Sequence, residues 1–181
     1  MKSVSLAAIM LLSTLSALLV AAPAAATQVV ITEAIQVVDS GSSNDRMAAV
    51  AADSEGNVHV VWSRNFQHLY YSMISPRGET MIDATQVSNS GLHKIYHPDM
   101  VIDANDKVHI VWADHSGQHK IMYTALNPFN TAMDGSVADD GSLSAIDDTI
   151  IAQHVNDRDW PAIDVDSRDN IHIVWQDNYD S

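Results

Sequence analysis

The chain has 181 residues, 46% of them apolar, a formal charge of −14 and no cysteine. That length and apolar content are enough for one domain, or slightly more, around its own core. The acidic balance leaves no basic stripe to neutralise phosphates, which speaks against a nucleic-acid partner, and without cysteine there is no disulfide framework, thiol nucleophile or Cys-ligated zinc site.

The N-terminus opens with Lys2, continues through a mostly apolar stretch at residues 4–20 and reaches the small residues Ala24, Ala25 and Ala26. This order predicts a secretory signal peptide over residues 1–26, cut after Ala26. The apolar stretch is nearly long enough to span a bilayer, so a retained anchor is the alternative. Ser13, Ser16, Pro23 and the small-residue end favour removal. No second hydrophobic stretch of that length follows, so the mature chain is expected outside the cytoplasm, extracellular or periplasmic, with no membrane attachment after cleavage. Export without cysteine suits a microbial protein.

Residues 27–181 are organised by a repeat. DSEGNVHVVW at residues 53–62 recurs as DANDKVHIVW at 103–112 and as DSRDNIHIVW at 166–175. Each copy sets an Asp nine residues before a Trp, with a polar turn and a β-branched run carrying one His between them. Trp62 and Trp112 lie 50 residues apart, and Trp112 and Trp175 lie 63 apart. Upstream, AIQVVDSG at 34–41 matches ATQVSNSG at 84–91 with the same spacing of 50, and IAQH at 151–154 stands as a third copy.

Four apolar runs fall in each full unit: 48–52, 58–62, 69–74 and 84–88, then 100–102, 108–112, 120–126 and 149–154. They are too short for helices, rich in Val, Ile, Tyr and Trp, and bounded by Asp, Asn, Gly and Ser. The segments 54–57, 104–107 and 167–170 read as tight hairpin turns. No window carries a helical period, so the chain is predicted to be all-β. Four strands in a unit of about 50 residues is the signature of a propeller blade. The expected fold is a β-propeller fragment of four-stranded antiparallel blades, about two and a half of them. Residues 27–47 supply the last strand of a blade plus a linker, 48–88 a blade, 98–154 a blade with an acidic loop at 127–148, and 161–181 an incomplete blade.

Within 58–62, Val58, Val60 and Trp62 face one way and Val61 the other, as in a strand covered on both sides by neighbouring blades. The 127–148 insertion, carrying Asp134, Asp139, Asp140, Asp147 and Asp148, reads as a solvated loop. Fewer than three blades are expected, whereas closure takes about four to eight. Open edges invite pairing, so the remaining blades are expected in the same longer chain, with self-assembly of copies as the alternative.

PAIDVDSRDNIHIVWQD at 161–177, HPDMVIDANDKVHIVWAD at 97–114 and KIMYTAL at 120–126 resemble the BNR-like repeats of the sialidase-type propeller superfamily, across residues 28–181. The resemblance implies the architecture. For activity it implies a wide range, from exo-acting sialidases and other glycan-processing enzymes to secreted propellers with no known reaction. Sialidases carry Asp-box turns, Ser-x-Asp-x-Gly followed by Thr and an aromatic. The nearest stretch here, Asp53-Ser54-Glu55-Gly56, has another order and lacks the final pair.

His59, His109 and His172 look like a metal triad until the repeat is considered. A group repeated in every blade is separated from its copies by the rotation between blades, so scaffolding is expected. Asp53, Asp103 and Asp166 are expected to accept hydrogen bonds from turn amides, and Trp62, Trp112 and Trp175 to pack between blades. Ligand-binding residues are sought where the repeat dictates nothing, on loops opening at one face: 40–47, 63–68, 90–97, 113–119 and 155–160. Arg46 and Arg158 each end an Asn-Asp-Arg triplet. They are placed to hold an anionic ligand such as a carboxylated sugar, or to order their own loops by pairing with Asp. His97 and Trp160 precede a Pro at equivalent positions and would line the mouth, with Trp160 stacking on a sugar or packing. Asp114 and His115 complete the set.

No catalytic residue is assigned. The resemblance would require an arginine cluster, a Tyr activated by a Glu and an acidic donor, and of Glu33, Glu55 and Glu79 none falls on that face with a Tyr. No cofactor is expected. Calcium is the one weighed, on Asp164, Asp166, Asp169 and Asn170, but this stretch lacks the full EF-hand pattern and overlaps a hairpin. The expected function is a secreted, non-enzymatic propeller that binds a glycan or a surface partner. The alternative is an exo-acting sialidase-type glycoside hydrolase represented by its early blades.

Overall fold

A computed structural model describes residues 36–38, 41–88, 94–129, 144–145, 147–154 and 160–177. The expected signal peptide, Arg158 and residues 130–143 of the acidic loop lie outside the described residues. Eleven strands and no helix are found among them, so no helix is long and apolar enough to cross a membrane.

Blade A is an antiparallel meander of β1 (Asp45–Ala52), β2 (Val58–Arg64), β3 (His68–Ile74) and β4 (Thr80–Gln86). Blade B repeats it with β5 (Ile95–Ile102), β6 (Val108–Asp114) and β7 (His119–Asn127). Its fourth strand comes in two pieces on the same edge. β8 (Ser144–Ala145) pairs with Leu126 and Asn127, and β9 (Thr149–His154) pairs with the stretch of β7 from His119 to Tyr123. Blade C contributes β10 (Ala162–Val165) and β11 (Ile171–Val174). The architecture is thus all-β, built of propeller-type four-stranded antiparallel blades.

The repeated phrase makes the β1–β2 hairpin and its two copies. Asp53 Oδ1 accepts the amides of Glu55 (3.0 Å) and Asn57 (2.8 Å), and Asp103 and Asp166 do the same in their turns. This is the local side-chain bonding that makes Asp a turn residue. The fourth turn position takes a left-handed φ in every copy, at Gly56 (80°), Asp106 (58°) and Asp169 (61°).

Strand ends differ from the apolar runs. β1 and β5 begin earlier than expected, because a bulge at Met47–Ala48 and another at His97–Pro98 let pairing continue past the break in register. β4 covers 80–86 rather than 84–88. The turn at 75–79 is closed by Gly78 N–H to Ser75 O (2.9 Å) and Ser75 N–H to Glu79 O (2.8 Å), so pairing resumes at once. Thr80, Asp83 and Thr85 hide that strand, since the outer strand of a blade is solvated.

Packing follows the alternation. Val61, Leu69, Tyr71 and Met73 of blade A meet Met100, Ile110, Trp112 and Met122 of blade B. Val111, Ala113 and Ile121 on the far side of blade B meet Ile163, Ile171 and Ile173 of blade C. β6 is therefore buried along its whole length, as expected for a strand between two blades. β2 is not: its outward residues Val58 and Val60 are half-buried. The turns also join hands. Asp106 accepts the amide and hydroxyl of Ser54 (2.9 and 2.7 Å), and Asp169 accepts the amide of Ala104 (3.2 Å).

Candidate ligand-binding cleft

The repeated histidines are internal to their blades. His59 Nδ1 lies 2.8 Å from the Tyr71 hydroxyl and Nε2 lies 3.2 Å from Asp53 Oδ2. In blade B the same relay runs from Tyr123 (2.7 Å) through His109 to Asp103 (3.3 Å). A carboxylate only accepts, so Nε2 of His59 carries the proton and Nδ1 accepts from the tyrosine. Burial lowers the pKa of His59, against the opposing pull of Asp53. Burial works to raise Asp53, but hydrogen bonds from Asn57 and His59 together hold it below the ordinary carboxyl range. Burial, and then the Asp53 charge, raises Tyr71. These groups hold strands together. Asp166 in blade C is likewise committed to Asn170, Arg168 and His172, and Asp169 to Ala104. Asp164 Oδ1 accepts the Val165 amide (2.8 Å), so each carboxylate weighed for calcium has at least one oxygen in a hydrogen bond of the hairpin or its neighbour.

Because the strands are antiparallel, the β2–β3 and β6–β7 connections, with Ser88 after β4 and Lys94 before β5, lie at the face opposite the Asp turns. There Asn65, Phe66 and Gln67, Lys94 and Tyr96, and Ser116 and Gly117 enclose a cleft of about 510 Å³. It is laced by backbone bonds: Ile95 N–H to Phe66 O (2.7 Å), His115 N–H to Lys94 O (2.9 Å) and Asn65 N–H to Asn44 O (2.8 Å).

Aromatic and cationic groups run through it as a ladder. The Arg46 guanidinium sits 4.4 Å over the Phe66 ring, and Phe66 lies 5.0 Å from Tyr96. Tyr96 stacks on His115 at 4.6 Å, and His115 on His119 at 4.1 Å and 6°. Phe66 and Tyr96 are half-buried, so their rings still meet solvent. Phe66 is held under strain. The turn closes by Gln67 N–H to Arg64 O (3.0 Å), with left-handed φ at both Asn65 (55°) and Phe66 (58°). This pattern favours Asn and Gly, and a bulky ring there is uncommon.

Of the residues singled out in the sequence, Arg46 and His115 join this ladder. Arg46 Nε donates to Asn44 (2.8 Å), while the neighbouring Asp45 instead takes Arg64 in a two-point ion pair (2.8 and 2.9 Å). Asp114 is the last residue of β6 and is buried. Its Oδ1 accepts the amides of Lys94 (3.1 Å) and Ser116 (2.8 Å), which ties the two sides of the cleft wall together. His97 and Trp160 are together, but in a second, more open hollow of similar volume on the first strands, with Met47 and Asp99. The Trp160 indole N–H donates to His97 Nε2, edge to face at 5.3 Å between centroids, and the His97 amide meets Met47 Sδ at 3.4 Å. Burial lowers the pKa of His97.

Phe66, Tyr96, Asn65 and Lys94 were not singled out by the sequence, although a signal existed. Phe66 is one of only two phenylalanines, and it stands on an opening loop where the repeat prescribes nothing. No protein-family model matches this chain, and a search of curated proteins finds no match.

Proposed function

We propose that this chain is an exported, non-enzymatic carbohydrate-binding module with BNR-like propeller blades, taking its ligand in the Phe66–Tyr96 cleft. The observation that carries the reading is Phe66 itself. A large ring kept at a left-handed turn position, where Gly or Asn would sit without cost, indicates a constraint other than folding. An open cleft with two aromatic faces, side-chain amides at Asn65 and Gln67, a hydroxyl at Ser116 and a cation at Lys94 suits the apolar face and hydroxyl rim of a sugar. Among the described residues its lining is amide, hydroxyl, ammonium and aromatic, without a carboxylate, whereas glycoside hydrolysis works through a pair of them. Export rests on the N-terminal signal pattern.

The test is a glycan array followed by calorimetric titration of the strongest hits. Phe66→Ala and Tyr96→Ala are each expected to weaken binding about tenfold or more, about 1.4 kcal/mol, while Trp160→Ala in the second hollow leaves it within about twofold. Binding indifferent to Phe66 and Tyr96 would move the site elsewhere. Turnover of a fluorogenic sialoside, abolished by substitution in the cleft, would replace the module with an enzyme.

A further inference from the structure

The charge of this chain is not spread evenly over it. The formal total is −14, but the acids of the repeat gather at one end of the blades. Asp53, Glu55, Asp103, Asp106, Asp166 and Asp169 all stand in the β1–β2, β5–β6 and β10–β11 turns. The opposite end, where the cleft opens, carries Arg46 near the start of β1, Lys94 just before β5 and Lys120 near the start of β7. A field divided in this way draws an anion to the cleft and away from the turns.

The acids beside the cleft do not cancel these cations. Asp45 is held by Arg64 in the two-point ion pair, and buried Asp114 turns Oδ1 to the amides of Lys94 and Ser116. Among the described residues no carboxylate is paired with Arg46, Lys94 or Lys120. Arg46 lies over Phe66 and donates from Nε alone, to Asn44, so its two terminal nitrogens meet no described partner. A guanidinium is weakly hydrated and gives up its water to an anion at low cost. Lys94 enters the same lining because the Ile95 amide bonds Phe66 O (2.7 Å). Lys120 lies on the same side of β7 as Met122, the side that faces blade A.

We propose that the ligand of this cleft is an acidic polysaccharide, a chain with a carboxylate or sulfate on successive sugars. It lies across blades A and B with sugar against Phe66 and Tyr96 and its anionic groups at Arg46, Lys94 and Lys120. The proposal rests on the carbohydrate reading of the cleft and adds to it the charge and the length of the ligand. A chain ending in one acidic sugar carries a single anionic group and leaves the other cations unmatched. Cations set out over two blades match a charge that repeats, and an open cleft lets the chain run on past it. Arg46 supplies a paired donor for a carboxylate or sulfate, and Lys94 and Lys120 supply point charges. All three are reached by solvent, so their pull on the ligand is screened by salt.

Calorimetric titration of the full chain tests this with four probes: a uronate hexasaccharide, its carboxyl-reduced neutral form, a sulfated hexasaccharide and a short sialoside. At least one acidic hexasaccharide is expected to bind about tenfold or more tighter than the reduced form, and to lose affinity as salt rises. The tighter of the two identifies the anion. Arg46→Gln and Lys94→Gln should each weaken the acidic chain about fivefold or more, with little change in melting temperature and a shallower dependence on salt. Arg77→Gln, in the β3–β4 turn at the acidic end, should leave binding within about twofold. A reduced chain that binds as tightly as the acidic ones overturns the proposal and leaves the carbohydrate reading standing, whereas binding of no glycan removes both. A sialoside bound as tightly as either hexasaccharide overturns the repeated charge, and so does acidic-chain binding indifferent to both Arg46 and Lys94.

Discussion

His59 is a base held neutral in the interior, and that has a consequence for pH. Its native pKa lies below the ordinary 6.5 because burial disfavours the imidazolium. Between those two values the unfolded chain binds more protons than the folded one, so stability is full above about pH 6.5 and falls as pH drops through the native value. His97, also lowered by burial, adds in the same direction. Asp53 has the opposite depression, below 3.8, and its contribution is lost only at still lower pH. Denaturant titrations at pH 7.5 and pH 5 are expected to show lower stability at pH 5, with a smaller difference in His59→Gln. An unchanged difference would assign the effect to other groups. The sequence marked His59 as scaffold, since a residue copied into every blade cannot be a single catalytic centre. Its partner Tyr71 was not legible, because it is a diagonal neighbour across strands. His59 pairs in register with Met73, and Tyr71 with Val61, so the contact appears only once the register is known.

At the scale of the element, the hairpins were readable and the strand ends were not. The Asp turns carry their own bonding in the local sequence, so the positions of β1–β2, β5–β6 and β10–β11 follow from it. The bulges at Met47 and His97 arise from what the first strands meet in the next blade: Met47 Sδ against the His97 amide, and His97 against Trp160. Nothing within residues 44–50 announces this. The cleft was half legible for the same reason. Its loops were placed on one face, but the Arg46–Phe66–Tyr96–His115 ladder joins two blades. The β2–β3 turn gives the sharpest separation of binding from folding. Glycine at position 66 would relax a left-handed φ that costs a bulky residue about 1–3 kcal/mol, offsetting the loss of a half-buried ring. Phe66→Gly is therefore expected to keep the unfolding free energy within about 1 kcal/mol of the wild type while losing glycan binding. A severe loss of stability would make Phe66 a packing residue.

For the molecule as a whole, position in the stack decides what a repeated residue is worth. Trp62, Trp112 and Trp175 are the same letter in the same phrase, and the sequence predicts one role for all three. The structure grades them. Trp112 is fully buried where blade B meets blade A, among Met100, Ile110 and Met122. Trp175 lies beyond the end of β11 and is 36% exposed. Blade B is the only one described with a neighbour on each side, so a cavity there opens in a layer that cannot collapse outward. Trp112→Ala is expected to cost about 3–5 kcal/mol, a large share of the about 5–15 kcal/mol that holds a domain together. Trp175→Ala, with solvent already on one side, is expected to cost less than about half of that. Chemical denaturation of the two variants side by side measures the ratio. Equal costs would mean that Trp175 is as enclosed in solution as Trp112, so that blade C holds its tryptophan against blade B as firmly as blade B holds its own against blade A.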